Sequence, residues 1–403
     1  MTSPTLVGLT LHLNGGRGHV LPYHKSLGQA VKINGWQHLA LVSHRKDLPS
    51  LPEDWKVEYL DSGLLDCERN IVIKEIRRLN IFAFARGFFC LTKDLVRSLR
   101  KEISTNPGEK IIFLESFNPL QLLALVITLF FLDRRYLRIW LMYRGGPNWG
   151  GKKHRLMARS FSYAFRLMNP IIEILVGKRR LTLLTDSAIL SANLPGFYKR
   201  SVNLLPIPHT PSKINKNRTN KNINQPILCW WPGAPRPEKG LEHINRLISL
   251  NTAPAKHIKF VLPRSIRNSN NKNNSQIQWV DDKLPTEEYE HQLLVSSCIL
   301  LPYDKDLYSE STSGVFTECV VAGALPLVSR GTWMAYELEK RDLNALCINW
   351  DSSDALQRVI DVNYDEVIQS RFIRMRDEYR SFHSIPSFAR ELEVLWARSV
   401  TKA

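Results

Sequence analysis

With 403 residues, 44% of them hydrophobic and 23% charged, the chain has the length of about two globular domains and can bury sizeable cores. Fifty-five lysines and arginines against 38 aspartates and glutamates leave a formal charge of +17, which points to an anionic partner: a small substrate, a membrane surface or a nucleic acid. No zinc-finger spacing and no aromatic RNA-recognition signature accompanies that charge, so no nucleic acid is expected among the partners.

The six cysteines (Cys67, Cys90, Cys229, Cys298, Cys319 and Cys347) form no C-x-x-C pair, and several lie inside apolar runs. Buried free thiols in a reducing compartment account for them. The opening stretch MTSPTLVGLTLHLNG lacks a basic region followed by a long apolar core, so no secretion signal is expected. The expected location is cytoplasmic, with peripheral attachment to the inner face of the cell membrane as a hypothesis drawn from the charge.

The first predicted strand, 6–13, runs into the turn Asn14-Gly15-Gly16-Arg17-Gly18-His19. A helix to about Ile33 and a strand at 38–42 complete a βαβ opening whose glycine-rich turn lets backbone approach a ligand closely; it is not a G-x-G-x-x-G fingerprint. Further strands are predicted at 111–115, 138–143 and 181–185, with helical stretches between them, which implies a parallel sheet. The longest apolar run, 120–132, is broken only by Gln121 and is too short for a membrane span; it reads as a buried core helix. Basic residues concentrate in this half, at Arg77-Arg78, 97–101, Arg134-Arg135, Lys152-Lys153 and 178–180. At the end of the strand 138–143 stands Arg144, suited to a departing diphosphate or an acidic acceptor, or equally to pairing with a surface carboxylate.

The stretch SKINKNRTNKNINQ, 212–225, is polar and rich in Asn and Lys, cannot pack a core, and reads as a flexible linker. It separates an amino-terminal domain, 1–211, from a carboxyl-terminal domain, 226–385, with a last helix over 386–403. The second domain opens with ILCWWPGAPRPEKGL: an apolar strand, a Pro/Gly loop, then Arg236 and Lys239 before a helix with apolar positions at Leu241, Ile244, Leu247 and Ile248. A bidentate guanidinium beside a lysine suits a diphosphate; ordinary solvated charges at a helix start are the plainer alternative. A second insert, 268–276, is expected to be a surface loop.

The most informative stretch is 300–326, LLPYDKDLYSESTSGVFTECVVAGALP. A strand runs into a Pro-containing loop, and a helix is predicted from Gly314 or Val315, leaving free N–H groups ready for a phosphate. Glu310 precedes this anion site and Glu318 follows it within the first turns. Carboxylates so placed accept bonds from the hydroxyls of a sugar or ribose, and nucleotide sugars carry both chemistries.

These two segments resemble the donor domain of retaining glycosyltransferases with the GT-B architecture, the family 4 group in particular. Lys239-Gly240 resembles that group's phosphate clamp, Glu310 and Glu318 its two-glutamate motif, and Ala322-Gly323…Pro326 the small-Gly-x-Pro stretch after it. The departures are Ala234 where the clamp's arginine usually stands, Ser313 where glycine is commoner, and Pro326 one residue late. The sequence PYDKDLY also suggests a subgroup in which Tyr303, Asp304 and Tyr308 precede the turn.

The resemblance implies an α/β fold of two Rossmann-like domains with parallel sheets facing across a cleft, and a final helix crossing back to the amino-terminal domain. It implies donor binding by Arg236, Lys239, Ser313, Gly314, Val315 and Glu318, with Glu310 touching the transferred sugar. It further places Gly15 and Gly16 near the donor phosphates and His19 near the acceptor or cleft. Arg144 takes the place of a histidine common among relatives.

The expected activity is sugar transfer from a nucleotide-diphospho-sugar to a glycan or lipid-linked acceptor, with retention, in polysaccharide or glycolipid synthesis. No cofactor and no metal is expected: Asp304-Lys305-Asp306 spells D-x-D but lies in the PYD loop, and fixed cations and amides can stabilise the leaving diphosphate instead. The alternatives are a sugar-nucleotide epimerase or phosphorylase of the same fold, a glycosidase using the two glutamates, and a non-catalytic binding module.

Overall fold

The computed structural model describes residues 3–11, 20–43, 51–58, 81–106, 108–149, 151–210, 226–250, 258–268, 271 and 274–400. Gly15, Gly16, His19 and the linker 212–225 lie outside them. The chain divides into two compact units. The first comprises Met1–Asn148, His154–His209 and Ile385–Ala403; the second comprises Trp149–Lys153 and Thr210–Ser384.

The first unit is built on seven parallel strands: β1 (Thr5–Thr10), β2 (Gln37–Ser43), β3 (Trp55–Glu58), β4 (Lys110–Leu114), β5 (Leu137–Met142), β6 (Leu181–Thr185) and β7 (Val202–Leu204), in the order β3-β2-β1-β4-β5-β6-β7. β4 and β5 are buried along their whole length, as both faces of a parallel sheet must be. One face is covered by α2 (Ile81–Thr105), α3 (Pro119–Phe130), α4 (Gly151–Val176) and α5 (Ala188–Tyr198). The other is covered by α1 (Val20–Ile33) and the last helix, α13 (Ile385–Val400). The apolar run 120–132 is the core helix α3, started by an Asn118–Gln121 capping box, with Leu122, Leu125 and Leu129 fully buried.

β5 carries a buried arginine, and that residue ties α13 to the sheet. Arg138 pairs with Glu109 at 3.3 Å, donates to the Ser399 carbonyl at 3.0 Å and lies 4.7 Å from the centre of the Trp396 ring. Trp396 in turn meets Trp36 edge-on, and Asn34 donates to the Ala389 carbonyl at 2.7 Å. The carboxyl-terminal helix is therefore part of the amino-terminal unit's core.

The second unit repeats the plan with six parallel strands: β8 (Ile227–Trp230), β9 (Ile258–Pro263), β10 (Ile277–Val280), β11 (Cys298–Leu301), β12 (Leu325–Ser329) and β13 (Cys347–Ile348), ordered β10-β9-β8-β11-β12-β13. Its helices are α6 (Leu241–Leu250), α7 (Thr286–Val295), the short α8 (Lys305–Tyr308), α9 (Gly314–Ala322), α10 (Trp333–Glu339), α11 (Ala355–Tyr364) and α12 (Glu366–Phe382). Cys229, Cys298, Cys319 and Cys347 are buried free thiols. Among the described residues, no helix is long and apolar enough to cross a membrane.

Candidate functional site

In the second sheet the strand order reverses between β8 and β11, which pair directly through Cys229–Cys298 and Trp230–Ile299. Open α/β sheets bind ligands at the carboxyl ends of the strands flanking such a reversal. The loops leaving β8 and β11 are the two segments singled out by sequence, and the topology sets them side by side. Two contacts fasten them to each other, and a third braces the β8 loop on itself. The Asp304 amide donates to the Glu238 carbonyl at 3.0 Å, and the Trp231 indole donates to the Lys239 carbonyl at 3.1 Å. Gly240, at φ 82°, closes a single 3-10 turn (Pro237–Lys239) directly against Pro302; a Cβ there would stand 2.1 Å from the Pro302 carbonyl oxygen.

This seating turns the Lys239 ammonium across Gly233, where a Cβ would stand 3.4 Å from Nζ, and toward the face of Tyr303, 5.7 Å from the ring centre. Burial raises the pKa of the Tyr303 hydroxyl, and the nearby Ser313 side chain opposes that rise. Ser313 is the N-cap of α9 and accepts from the Phe316 amide at 3.3 Å. Lys239, Tyr303 and Ser313 thus form a continuous line from the cation to the helix start. The amides of Gly314 and Val315 begin that helix with no carbonyl one turn earlier to bond, and the helix dipole adds positive potential there. Arg236 is largely exposed, 3.5 Å from the Glu238 carboxylate, and its charge is felt by both Lys239 and Tyr303.

Glu318 lies in α9 just past the anion site and accepts from the Tyr289 hydroxyl, presented by α7, at 2.6 Å. Burial pushes the Glu318 carboxyl up to about 7, with Glu290 adding to the rise; the Tyr289 bond and the charge of Lys239 oppose it. Burial, helped by Arg236, brings the Lys239 ammonium down to about 8, while Glu238 and Glu318 pull the other way. Two groups of opposite charge therefore titrate within a narrow range around neutrality, as functional carboxylate–cation pairs do. Glu310 sits in the loop before the helix and is buried, with 8% of its surface exposed. Asp304, the first letter of D-x-D, caps α8 by accepting from the Asp306 amide at 2.7 Å.

Arg144 belongs to the first unit, just past β5. It pairs with Glu115 at 2.6 Å and Asp186 at 3.1 Å, residues that follow β4 and β6. His24 of α1 reaches the same Glu115 at 3.4 Å and Thr10 at 3.5 Å. Burial opposes the guanidinium charge, but Asp186 and Glu115 outweigh it and hold the pKa above the usual arginine value. The sequence anticipated a surface carboxylate as the alternative partner. The partners are instead two buried ones, because the sheet gathers three strand ends at one edge.

Two residues outside the sequence assignment matter here. Tyr303 stands within the PYD motif before the turn, and its ring lies beside the Lys239 ammonium. Tyr289 comes from TEEYEHQLLV, which reads as a solvated helix and carries no motif. Its one signal is an aromatic residue within an otherwise charged turn.

No protein-family model and no curated protein matches the sequence. Solved structures match its fold along almost the whole length. The N-terminal domain of trehalose-6-phosphate phosphatase from Candida albicans is similar with a TM-score of 0.64 at 12% identity, over 99% of this chain and 98% of that one. An alpha,alpha-trehalose-phosphate synthase (UDP-forming) from Burkholderia vietnamiensis gives 0.61 at 12% identity, over 99% and 100%. A trehalose-6-phosphate protein from E. coli, bound with UDP-2-fluoro glucose, gives 0.60 at 12% identity, over 97% and 98%. The fold is that of the GT-B glycosyltransferases.

Proposed function

We propose that the protein is a glycosyltransferase that takes a sugar from a nucleotide-diphospho-sugar and passes it, with retention, to a glycan or lipid-linked acceptor. The observation that carries this reading is the line Lys239–Tyr303–Ser313, which joins a half-buried ammonium to the start of α9. A diphosphate laid along it meets a cation at one end and the Gly314 and Val315 amides at the other. Arg236 adds charge from the solvent side. Glu318 accepts from the ribose hydroxyls, and Glu310 is the group assigned to the transferred sugar. As the anomeric carbon–oxygen bond breaks, negative charge grows on the diphosphate, where these fixed groups already point. The leaving phosphate is the base that takes the acceptor's proton. Two of the fold neighbours support the donor class, one named as UDP-forming and one bound to a UDP-sugar analogue.

Product analysis with and without an acceptor tests this reading. Transfer gives nucleoside diphosphate and a glycosylated product only when an acceptor is present. Conversion of the donor without acceptor indicates an epimerase, and no turnover of any donor indicates a binding module. Activity is expected to survive EDTA.

The pH profile of donor kcat/KM follows from the two titrations. Glu318 must be ionised, so the rate rises with pH through about 7; Lys239 must be protonated, so it falls above about 8. The maximum lies between these values. Tyr289→Phe removes a bond that favours the ionised carboxylate, so the acid limb moves to higher pH while the alkaline limb stays. A profile identical to the wild type's in that variant would remove Tyr289 from the account.

A further inference from the structure

The outer face of α4 is apolar, although among the described residues its large side chains stay exposed. The helix's inner face places Phe165, Met168, Ile172 and Val176 in the core under the sheet. At the intervening three- and four-residue spacing, Leu156 (82% exposed), Tyr163 (54%), Leu167 (72%) and Ile174 (81%) face outward. A helix on the surface of a protein ordinarily presents charge on that side. Here the charges present are Arg155, Arg159 and Arg166, all exposed along the same face. The only acidic residue of the helix, Glu173, is engaged by Arg200. The next turn, Lys178–Arg180, continues the positive charge. The neighbouring helix on the same side of the sheet, α3, ends in Phe130 and Phe131, which are also more than half exposed.

From this face we infer that the first unit docks on an anionic phospholipid surface. Leu156, Leu167 and Ile174 enter the boundary between headgroups and acyl chains, and Arg155, Arg159 and Arg166 hold the lipid phosphates. Three features fit this occupant. Aliphatic side chains interleaved with arginines match a layer in which apolar chains lie beneath a plane of phosphates. Three arginines along the helix forbid crossing the bilayer but permit lying in its surface. The face has no acidic group of its own, so a second copy laid on it symmetrically would oppose arginine to arginine. A nucleic acid would satisfy the arginines and leave the exposed leucines and isoleucine in contact with a polyanion. The inference uses only the first unit's surface and stands independently of the transferase reading.

The test is cosedimentation of the full chain with vesicles of phosphatidylglycerol and phosphatidylcholine, against phosphatidylcholine alone, over a range of salt. Binding is expected on the anionic vesicles only and weakens with salt. Leu167→Glu with Ile174→Glu abolishes it, and Arg155→Ala, Arg159→Ala and Arg166→Ala together weaken it about a hundredfold. Because every substituted side chain is exposed and, among the described residues, only Arg166 gives up a contact, its stacking 5.3 Å from the Phe197 ring centre, thermal melting should change little, which separates lost docking from lost folding. Failure to bind anionic vesicles overturns the inference, as does binding that ignores both sets of substitutions. A dimer in solution that the same substitutions break, or retention by RNA without retention by vesicles, also overturns it and identifies the other occupant.

Discussion

Replacing Lys239 by alanine is expected to lower kcat for sugar transfer by about 10²–10³, the loss seen when one pre-aimed group facing a developing negative charge is removed. The ammonium is the cation that the strand order, the Gly240 turn and the Tyr303 ring jointly hold, 5.7 Å from the ring centre. Its charge is held against a desolvation that already brings its pKa down to about 8. A group kept charged under those conditions interacts strongly with a second charge brought beside it. Lys239→Arg should recover only part of the activity, because a planar fork cannot occupy the space over Gly233 that a point charge fills. Steady-state kinetics at saturating acceptor measure the effect. A loss of less than threefold in the alanine variant would show that Lys239 does not face the leaving group.

The second large effect is on stability. Gly240→Ala is expected to destabilise the second unit by roughly 2–5 kcal/mol, the sum of a left-handed backbone forced on an L-residue and an overpacked contact. Both causes are visible: φ is 82°, and the added Cβ would stand 2.1 Å from a backbone oxygen and 2.5 Å from the Pro302 ring. Backbone cannot rotate away as a side chain can, so the β8 and β11 loops must separate. Thermal unfolding should show a fall of roughly 5–15 °C. Donor binding should weaken as well, since the same displacement carries Lys239 away from Tyr303. Gly35→Ala, at φ 66° with nothing within 4 Å, carries the backbone strain without the collision and should cost less. Equal losses in the two variants would refute the role given to the Pro302 contact.

Much of this arrangement was legible in the sequence, and the gaps have physical causes. β4, β5 and β6 announce themselves as largely apolar runs, interrupted by Arg138 in β5, because both their faces are covered. The first strand ends at Thr10 rather than at residue 13. β3 and β7, with four and three residues, are too short to carry a pattern and lie at the sheet's edges. The start of α9 was readable from Ser313-Gly314, a hydroxyl cap before an apolar run. The Lys239 and Glu318 segments each looked suggestive, but their adjacency is a property of the strand order, which no local pattern records. Tyr289 escaped because its role is made by the packing of α7 against α9. The outward face of α4 escaped because apolar residues on both sides of a helix blur its period.

Lys239 and the first amides of α9 are expected to hold one diphosphate together. Isothermal titration of the wild type and of Lys239→Ala with matched nucleoside mono- and diphosphates measures this without any acceptor or turnover. One diphosphate should bind at least tenfold more tightly than its monophosphate, and Lys239→Ala should erase the difference while leaving the monophosphate's affinity nearly unchanged. Equal affinity for the two nucleotides in the wild type, or an undiminished preference in the variant, would contradict it.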